Sequence, residues 1–412
     1  MAPHGEQADS GAGVGIASGP LAGTRVLELG NFIAGPFAGQ LLADYGADVI
    51  KIETPVGGDP MRRWGVTIDG DSLWWPAISR QKRSVTIDLR ASEGQALVRR
   101  LAAHCDLVVE NFRPGTLASW RLGYEELAAV NPALVLVHVS GFGQTGPRAN
   151  DPGFGSIGEA VGGVRHTTGS PDRPPSRSGI SLGDALAAMF AVIGGLAALT
   201  NARATGRGQE VDVAIYEAVA AVMESTMVDS ELGGVLRGRS GSVLPGVAPS
   251  NAYLAADGGE IVIAANADSI FGRLCEAMGN PELAFDDRFA THEARGRNMD
   301  ELDECIGAWA AALTTNEVIA ALDEHEVPNG RIFTASDMLA DAHYAARDMV
   351  LRLESYQGWN VPAPGIVPKF SATPGVIRSA GPPLGKHTAE VLGQLAGLDE
   401  AELATLHATG VV

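Results

Sequence analysis

TRVLELGNFIAGPFAGQLLADYGADVIKIE, residues 24–53, is the stretch that decides the fold. TRVLELG (24–30) is β-rich, GPFAGQLLADYG (35–46) has helical spacing, and ADVIKIE (47–53) is β-rich again, which predicts a strand, a helix and a strand. The rhythm continues outward. SVTIDLR (84–90), DLVVENF (106–112) and LVLVHVSGF (134–142) read as strands, SEGQALVRRLAAHC (92–105) and YEELAAVN (124–131) as helices. A helix from Asp184 to about Arg203 precedes one more strand, QEVDVAI (209–215). Near-continuous Val, Ile and Leu in these runs means that both sheet faces are covered, so the expected class is α/β, with a parallel, Rossmann-like sheet.

A long helical stretch is expected to reach roughly Glu231, after which the texture changes. GGVLRGRSGSVLPGVAPSN (233–251) is rich in Gly, Pro and Ser, as linkers are. NAYLAADGGEIVIAAN (251–266) signals a hairpin turning at Asp257, Gly258 and Gly259, with helices following to about His325. A second, smaller domain is therefore expected there. Residues 1–20 lack the basic and apolar regions of a signal peptide and read as a flexible tail.

The 412 residues carry a net charge of −19, with 45% apolar and 19% charged residues, which describes a globular chain with a large core. Such acidity argues against nucleic acid or an anionic membrane surface as partner. Cys105, Cys275 and Cys305 are too few and too scattered for a disulfide framework or a metal cluster, and point to a reducing, cytoplasmic compartment. The apolar run from Ala185 to Leu199 falls short of the ~20 residues of a membrane span and reads as a buried helix.

Chemistry concentrates in SGISLGDALAAMFAVIGGLAAL (178–199), where Asp184 stands at the mouth of that run. One reading makes it the helix N-cap. The other makes it a nucleophile, since a helix N-terminus keeps a carboxylate ionised beside apolar surface, where it can attack an activated acyl group. Arg80, Lys82, Arg83 and Arg90 form a basic cluster in RQKRSVTIDLR, read either as solvated edge or as a phosphate patch. ELGNFIAGPFAG (28–39) sits at a strand-to-helix turn, where α/β sheets place ligands, but lacks G-x-G-x-x-G. His104, His138 and His166 are scattered and read as structural or surface, and no H-E-x-x-H, C-x-x-C or P-loop spacing occurs, so no metal site is expected.

Taken together, LAGTRVLELGNFIAGPFAGQLLADYGADVIKIETPVGGD, QKRSVTIDLR, VVENFRPGTL, SGFGQTGP, LGDALAAMFAVIGGLAALTNARATGRGQEVDVAIYEAV and PPLGKHTAEVL resemble the family III coenzyme A transferases, relatives of formyl-CoA transferase and carnitine CoA-transferase. The resemblance implies a ring-like homodimer of two interlocked protomers. Each would have a large Rossmann-like CoA-binding domain over 21–232, a smaller α+β domain with linkers over 233–335, and a C-terminal part, 336–412, returning to the large domain. It implies acyl-CoA and carboxylate substrates, coenzyme A as substrate rather than bound cofactor, and Asp184 passing through aspartyl anhydride and aspartyl-CoA thioester intermediates. The coenzyme A contacts carried over are Ile33 and Ala34, Ile87, Asp88, Leu89 and Arg90, Asn111, Phe112 and Arg113, and Ser140, Gly141, Phe142 and Gly143. Ser119 stands where many members have Arg, with Arg121 two residues on. Related 2-methylacyl-CoA racemases pair the Asp with a His; Asn150 stands there instead, leaving Glu159 as the alternative base. The segment 233–251 lacks the tetraglycine loop of formyl-CoA transferase, which points to succinyl-CoA with dicarboxylate acceptors or to carnitine-type substrates rather than to formate.

Overall fold

Arg25–Glu28 (β1), Asp48–Glu53 (β2), Lys82–Thr86 (β3), Leu107–Glu110 (β4), Val135–Ser140 (β5) and Glu210–Ala214 (β6) form one parallel sheet in the computed structural model, which describes residues 19–412. The tail expected over 1–20 lies outside the described residues up to position 18. The strand order β3-β2-β1-β4-β5-β6 is that of a doubly wound sheet, and it reverses between β1 and β4.

Alternation along each strand sends side chains to two buried layers. Val26, Val49, Val109 and Val137 pack on Ala34–Asp44 (α1) and Leu182–Thr205 (α4). Leu27, Ile50, Val108 and Leu136 pack on Ser92–Ala102 (α2) and Thr388–Ala396 (α6). Short helices Gly155–Val161 (α3) and Ile215–Ala220 (α5) flank α4.

At 24 residues α4 outruns the 15-residue apolar stretch and is long and apolar enough to cross a membrane, yet Ala187, Ala188, Ala191, Ala198 and Ala202 bury it on the sheet. Gly195 explains its glycine pair in part: a Cβ there would stand 3.1 Å from Leu107. The free edge of β3 is closed by PPLGKHT, because Thr86 N–H donates to Thr388 Oγ1 at 3.0 Å, Ser84 N–H to His387 Nδ1 at 3.1 Å, and His387 N–H to Ser84 O at 2.9 Å.

The chain divides into two compact units. One comprises the residues up to Gly162, Ser181–Val222 and Arg347–Val412; the other comprises Gly163–Ile180 and Met223–Ala346. These limits differ from the expected breaks at 232/233 and 335/336. Arg237 draws 223–232 into the second unit by pairing with Glu224 and Asp229, and Phe333 stacks on Tyr344, keeping 335–346 there. The helix expected to reach Glu231 is interrupted between Ala220 and Thr226, where Glu224 adopts φ 51°. In the second unit Ser250–Leu254 (β7) and Glu260–Ala264 (β8) form the expected hairpin, and Asn329–Arg331 (β9), not foreseen, joins it. Helices Asp268–Ala277, Met299–Ala311 and Thr315–Glu324 complete its core around Phe271, Leu274, Ile306 and Leu322.

Candidate active site

The C-terminal ends of β1, β2, β3 and β4 surround a cavity of about 420 Å³, lined by Leu29, Asn31, Ile52–Thr54, Val56, Ile87–Arg90, Phe112 and Trp120. It lies where the strand order reverses, the place an open α/β sheet offers a ligand. Asn111 ties the reversal together. Its Oδ1 accepts from Asn31 N–H and its Nδ2 donates to Asn31 O, both at 2.8 Å. Phe112 and Trp120 meet edge to face at 5.2 Å and make an apolar wall opposite Arg90 and Asp88.

Of the residues carried over, Ile87, Asp88, Leu89, Arg90 and Phe112 line this cavity and Asn111 braces it. Ile33 and Ala34 stand at the start of α1, buried and outside the cavity lining. Arg113 is exposed and outside the lining, as are Ser119 and Arg121. Asn31, Val56 and Trp120 escaped sequence reading. The end of β1 was in view, whereas nothing local links Trp120 to it across some 90 intervening positions.

The basic cluster is committed to ion pairs rather than open to phosphate, Arg90 excepted, with Arg83 still half-buried. Arg80 is buried against Asp44, and Arg83 pairs with Asp48. Lys82 Nζ reaches Glu28 at 2.8 Å. Lys51 Nζ lies 2.8 Å from both Glu28 and Asp59, and Arg62 grips Glu53 through two hydrogen bonds of 2.7 and 2.8 Å. Burial opposes charge on Lys51, but Asp59, Glu28 and Glu53 outweigh it and hold its pKa above the ordinary value. Burial resists ionisation of Glu53 too, and Arg62 and Lys51 nevertheless hold its pKa low. This dry network underlies the cavity floor, to which Glu53 belongs.

On the other side of the reversal, Ser140 Oγ accepts from Gly143 N–H at 3.0 Å and Asp212 Oδ2 from Gln144 N–H at 2.8 Å, which sets the SGFG turn. Phe142 is buried beneath the Arg148 guanidinium, 3.9 Å from its ring. Gly141 lies against Gly153, where a Cβ would come within 2.7 Å of the facing Cα. Gly153 leads into α3, and a Cβ on Gly155 would overlap Asp184 Oδ2. So the structure brings the SGFG turn, α3 and Asp184 into one neighbourhood.

Asp184 is not the helix cap expected from sequence. Ser181 occupies that position without a side-chain bond, and Asp184 is the third residue of α4, half-buried in its first turn. Ser181 sits in a G-x-S-x-G spacing, but no strand leads into it, so it lacks the context of a nucleophile elbow. Part of the capping falls to Glu159 of α3, a buried carboxylate that accepts from Gly183 N–H at 3.3 Å. Asn150 is exposed. Among the described residues no group of three or more His, Cys, Asp or Glu is placed to hold a metal ion.

The CoA-transferase family III matches residues 21–388. The chain belongs to that family. This CoA-transferase is 55% identical over 394 residues to succinyl-CoA:D-citramalate CoA-transferase of Chloroflexus aurantiacus, covering 95% of this chain and 98% of the relative. It is 40% identical over 403 residues to the alpha subunit of succinyl-CoA:L-malate CoA-transferase from Chloroflexus aurantiacus, covering 97% and 94%. Among solved structures, a CAIB/BAIF family protein from Brucella suis superposes with a TM-score of 0.81 at 36% identity, over 92% of this chain and all of the other.

Proposed function

We propose that this CoA-transferase moves coenzyme A from succinyl-CoA to a dicarboxylic acid through covalent intermediates on Asp184. The observation that carries the reading is the placement of Asp184: a half-buried carboxylate in the first turn of a long apolar helix, approached closely by the backbone of Gly155. The helix N-terminus favours the ionised form, and the absence of a side chain at Gly155 makes room for the carboxylate itself. One Asp184 oxygen attacks the thioester carbonyl, the C–S bond breaks, and a mixed anhydride and coenzyme A thiolate result. The thiolate then attacks the Asp184 acyl carbon, expelling the donor acid and leaving an aspartyl-CoA thioester. The acceptor carboxylate reverses these steps, so Asp184 is regenerated and no net water or proton is consumed. The cavity at the strand reversal takes the nucleotide end, with Arg90 at a phosphate.

The donor and acceptor follow the relatives named for succinyl-CoA, citramalate and malate. Exposed Met189 and Ile193 on α4 support a homodimer that covers them, and three free thiols support a reducing, cytoplasmic setting. The test incubates purified enzyme with succinyl-CoA and citramalate, malate or glutarate, and traps turnover with borohydride or hydroxylamine. Modification at Asp184 is expected; an unmodified Asp184 peptide under turnover overturns the mechanism. A 2-methylacyl-CoA in D₂O should gain no deuterium at Cα.

A further inference from the structure

The strands bearing the site also carry an acidic cluster around His138, buried at His138 and Glu110 and exposed at Glu210 and Asp212, that the transfer chemistry does not use. His138 on β5 is in register with Glu110 on β4 and Asp212 on β6. Its Nδ1 lies 2.5 Å from Glu110 Oε1 and its Nε2 lies 3.2 Å from Glu210 Oε1. Ionised carboxylates only accept, so both ring nitrogens can be satisfied at once only by the imidazolium. Glu110 passes this constraint on, because its Oε2 accepts from Phe112 N–H at 2.6 Å. Phe112 in turn fixes Trp120, and both face the cavity. Asp212, on the strand beyond, holds Gln144 after the SGFG turn.

We propose that His138 is a positioning residue for coenzyme A: its imidazolium clamps Glu110 and thereby the Phe112–Trp120 wall, so that acyl-CoA affinity falls as His138 loses its proton. The inference rests on reading the cavity as the coenzyme A site. A neutral imidazole donates from one nitrogen only. Either Glu110 or Glu210 then loses its donor, and Glu110, almost wholly buried, faces an uncharged ring in place of a cation, which loosens its hold on the turn. The titratable groups facing His138 and its two partners are acidic: Glu110 from β4, Glu210 and Asp212 from β6, and the Tyr124 hydroxyl near Glu210 from the helix Tyr124–Val130. Burial resists charge on His138, but the hydrogen bonds and charges of Glu110 and Glu210 outweigh it and raise its pKa. Charge on His138 thus acts on the wall through one carboxylate and one backbone N–H.

The test measures the dissociation constant of coenzyme A calorimetrically, and KM and kcat for the acyl-CoA donor, from about pH 7 to 9.5, with thermal unfolding as a check on the fold. Wild-type affinity should weaken about three- to tenfold across this range, the worth of one hydrogen bond, with the effect in KM rather than kcat. His138→Gln, which donates once and never charges, should be weak and flat throughout. His138→Arg, always charged and able to donate to both carboxylates, should restore tight binding and abolish the pH slope. Wild-type affinity in His138→Gln, or one slope shared by wild type and His138→Arg, overturns the proposal. Trp120→Ala separates the two readings: if it leaves coenzyme A binding intact, the cavity assignment fails instead.

Discussion

The cavity and the Asp184 crevice lie in the same unit of the chain and are built by opposite means. The cavity rests on long side chains locked by buried ion pairs, with Lys51, Lys82 and Arg62 enclosed by Glu28, Asp59 and Glu53. The crevice is built from glycine backbone, with Gly155 against Asp184 and Gly141 against Gly153. A nucleotide needs a rigid, chemically varied wall; a carboxylate nucleophile needs its reacting oxygen held in place by close backbone. Breaking the first kind of construction should cost stability, and breaking the second should cost rate.

The largest effect tests the crevice. Asp184→Asn keeps the shape of the side chain and removes the nucleophile, so kcat should fall by about 10⁴-fold or more, with the melting temperature little changed. A comparable loss of stability would place Asp184 with the structural carboxylates instead. Next comes the cavity floor. Lys51→Met strips buried Asp59 of its cation and leaves Glu28 with Lys82 alone, and should cost about 3–5 kcal/mol in denaturant unfolding. An unchanged midpoint would show that water reaches the network. Gly155→Ala should return the effect to rate: the added methyl displaces the Asp184 carboxylate by about an ångström, enough for about a 10²-fold loss in kcat. Arg90→Ala, at the exposed rim, should raise KM for the acyl-CoA only about tenfold.

The same contrast explains what the sequence could and could not show. Strand and helix order was legible because Val, Ile and Leu runs alternate with helical spacing, and the six parallel strands stand within a few residues of where those runs lie. Ile87 to Arg90 and Phe112, carried over from the family resemblance, line the cavity, whereas the strand-end argument pointed only to residues 28–39. The basic loop was misread because charge runs look alike whether solvated or buried; only pairing across β1, β2 and β3 shows that Lys82 meets Glu28. Asp184, the expected cap, lies three positions inside the observed one, Ser181, and cap duty passes partly to Glu159, 25 residues earlier; no local pattern records a bond between helices. His138 was read only as structural or surface for the same reason, since Glu110 lies 28 residues earlier, whereas Trp120 reaches the cavity by packing on Phe112.

The smallest effect concerns His138, which pairs with Glu110 of β4 and Glu210 of β6. Its pKa is higher in the folded chain than its ordinary value near 6.5, because Glu110 and Glu210 outweigh the cost of burial. The native state therefore holds more protons than the unfolded state over the window between the two values. Stability from this pairing is complete below about pH 6.5 and is lost as pH rises through the raised folded value. Wild type should thus melt at progressively lower temperature with rising pH in that window, by more than His138→Arg, whose cation does not titrate there. Equal pH dependence in the two proteins would assign the loss to other groups in this acidic chain. Because Glu110 also holds Phe112, the melting shift and the loss of coenzyme A affinity should follow one titration, a coincidence that a purely local effect on either half of the sheet would not produce.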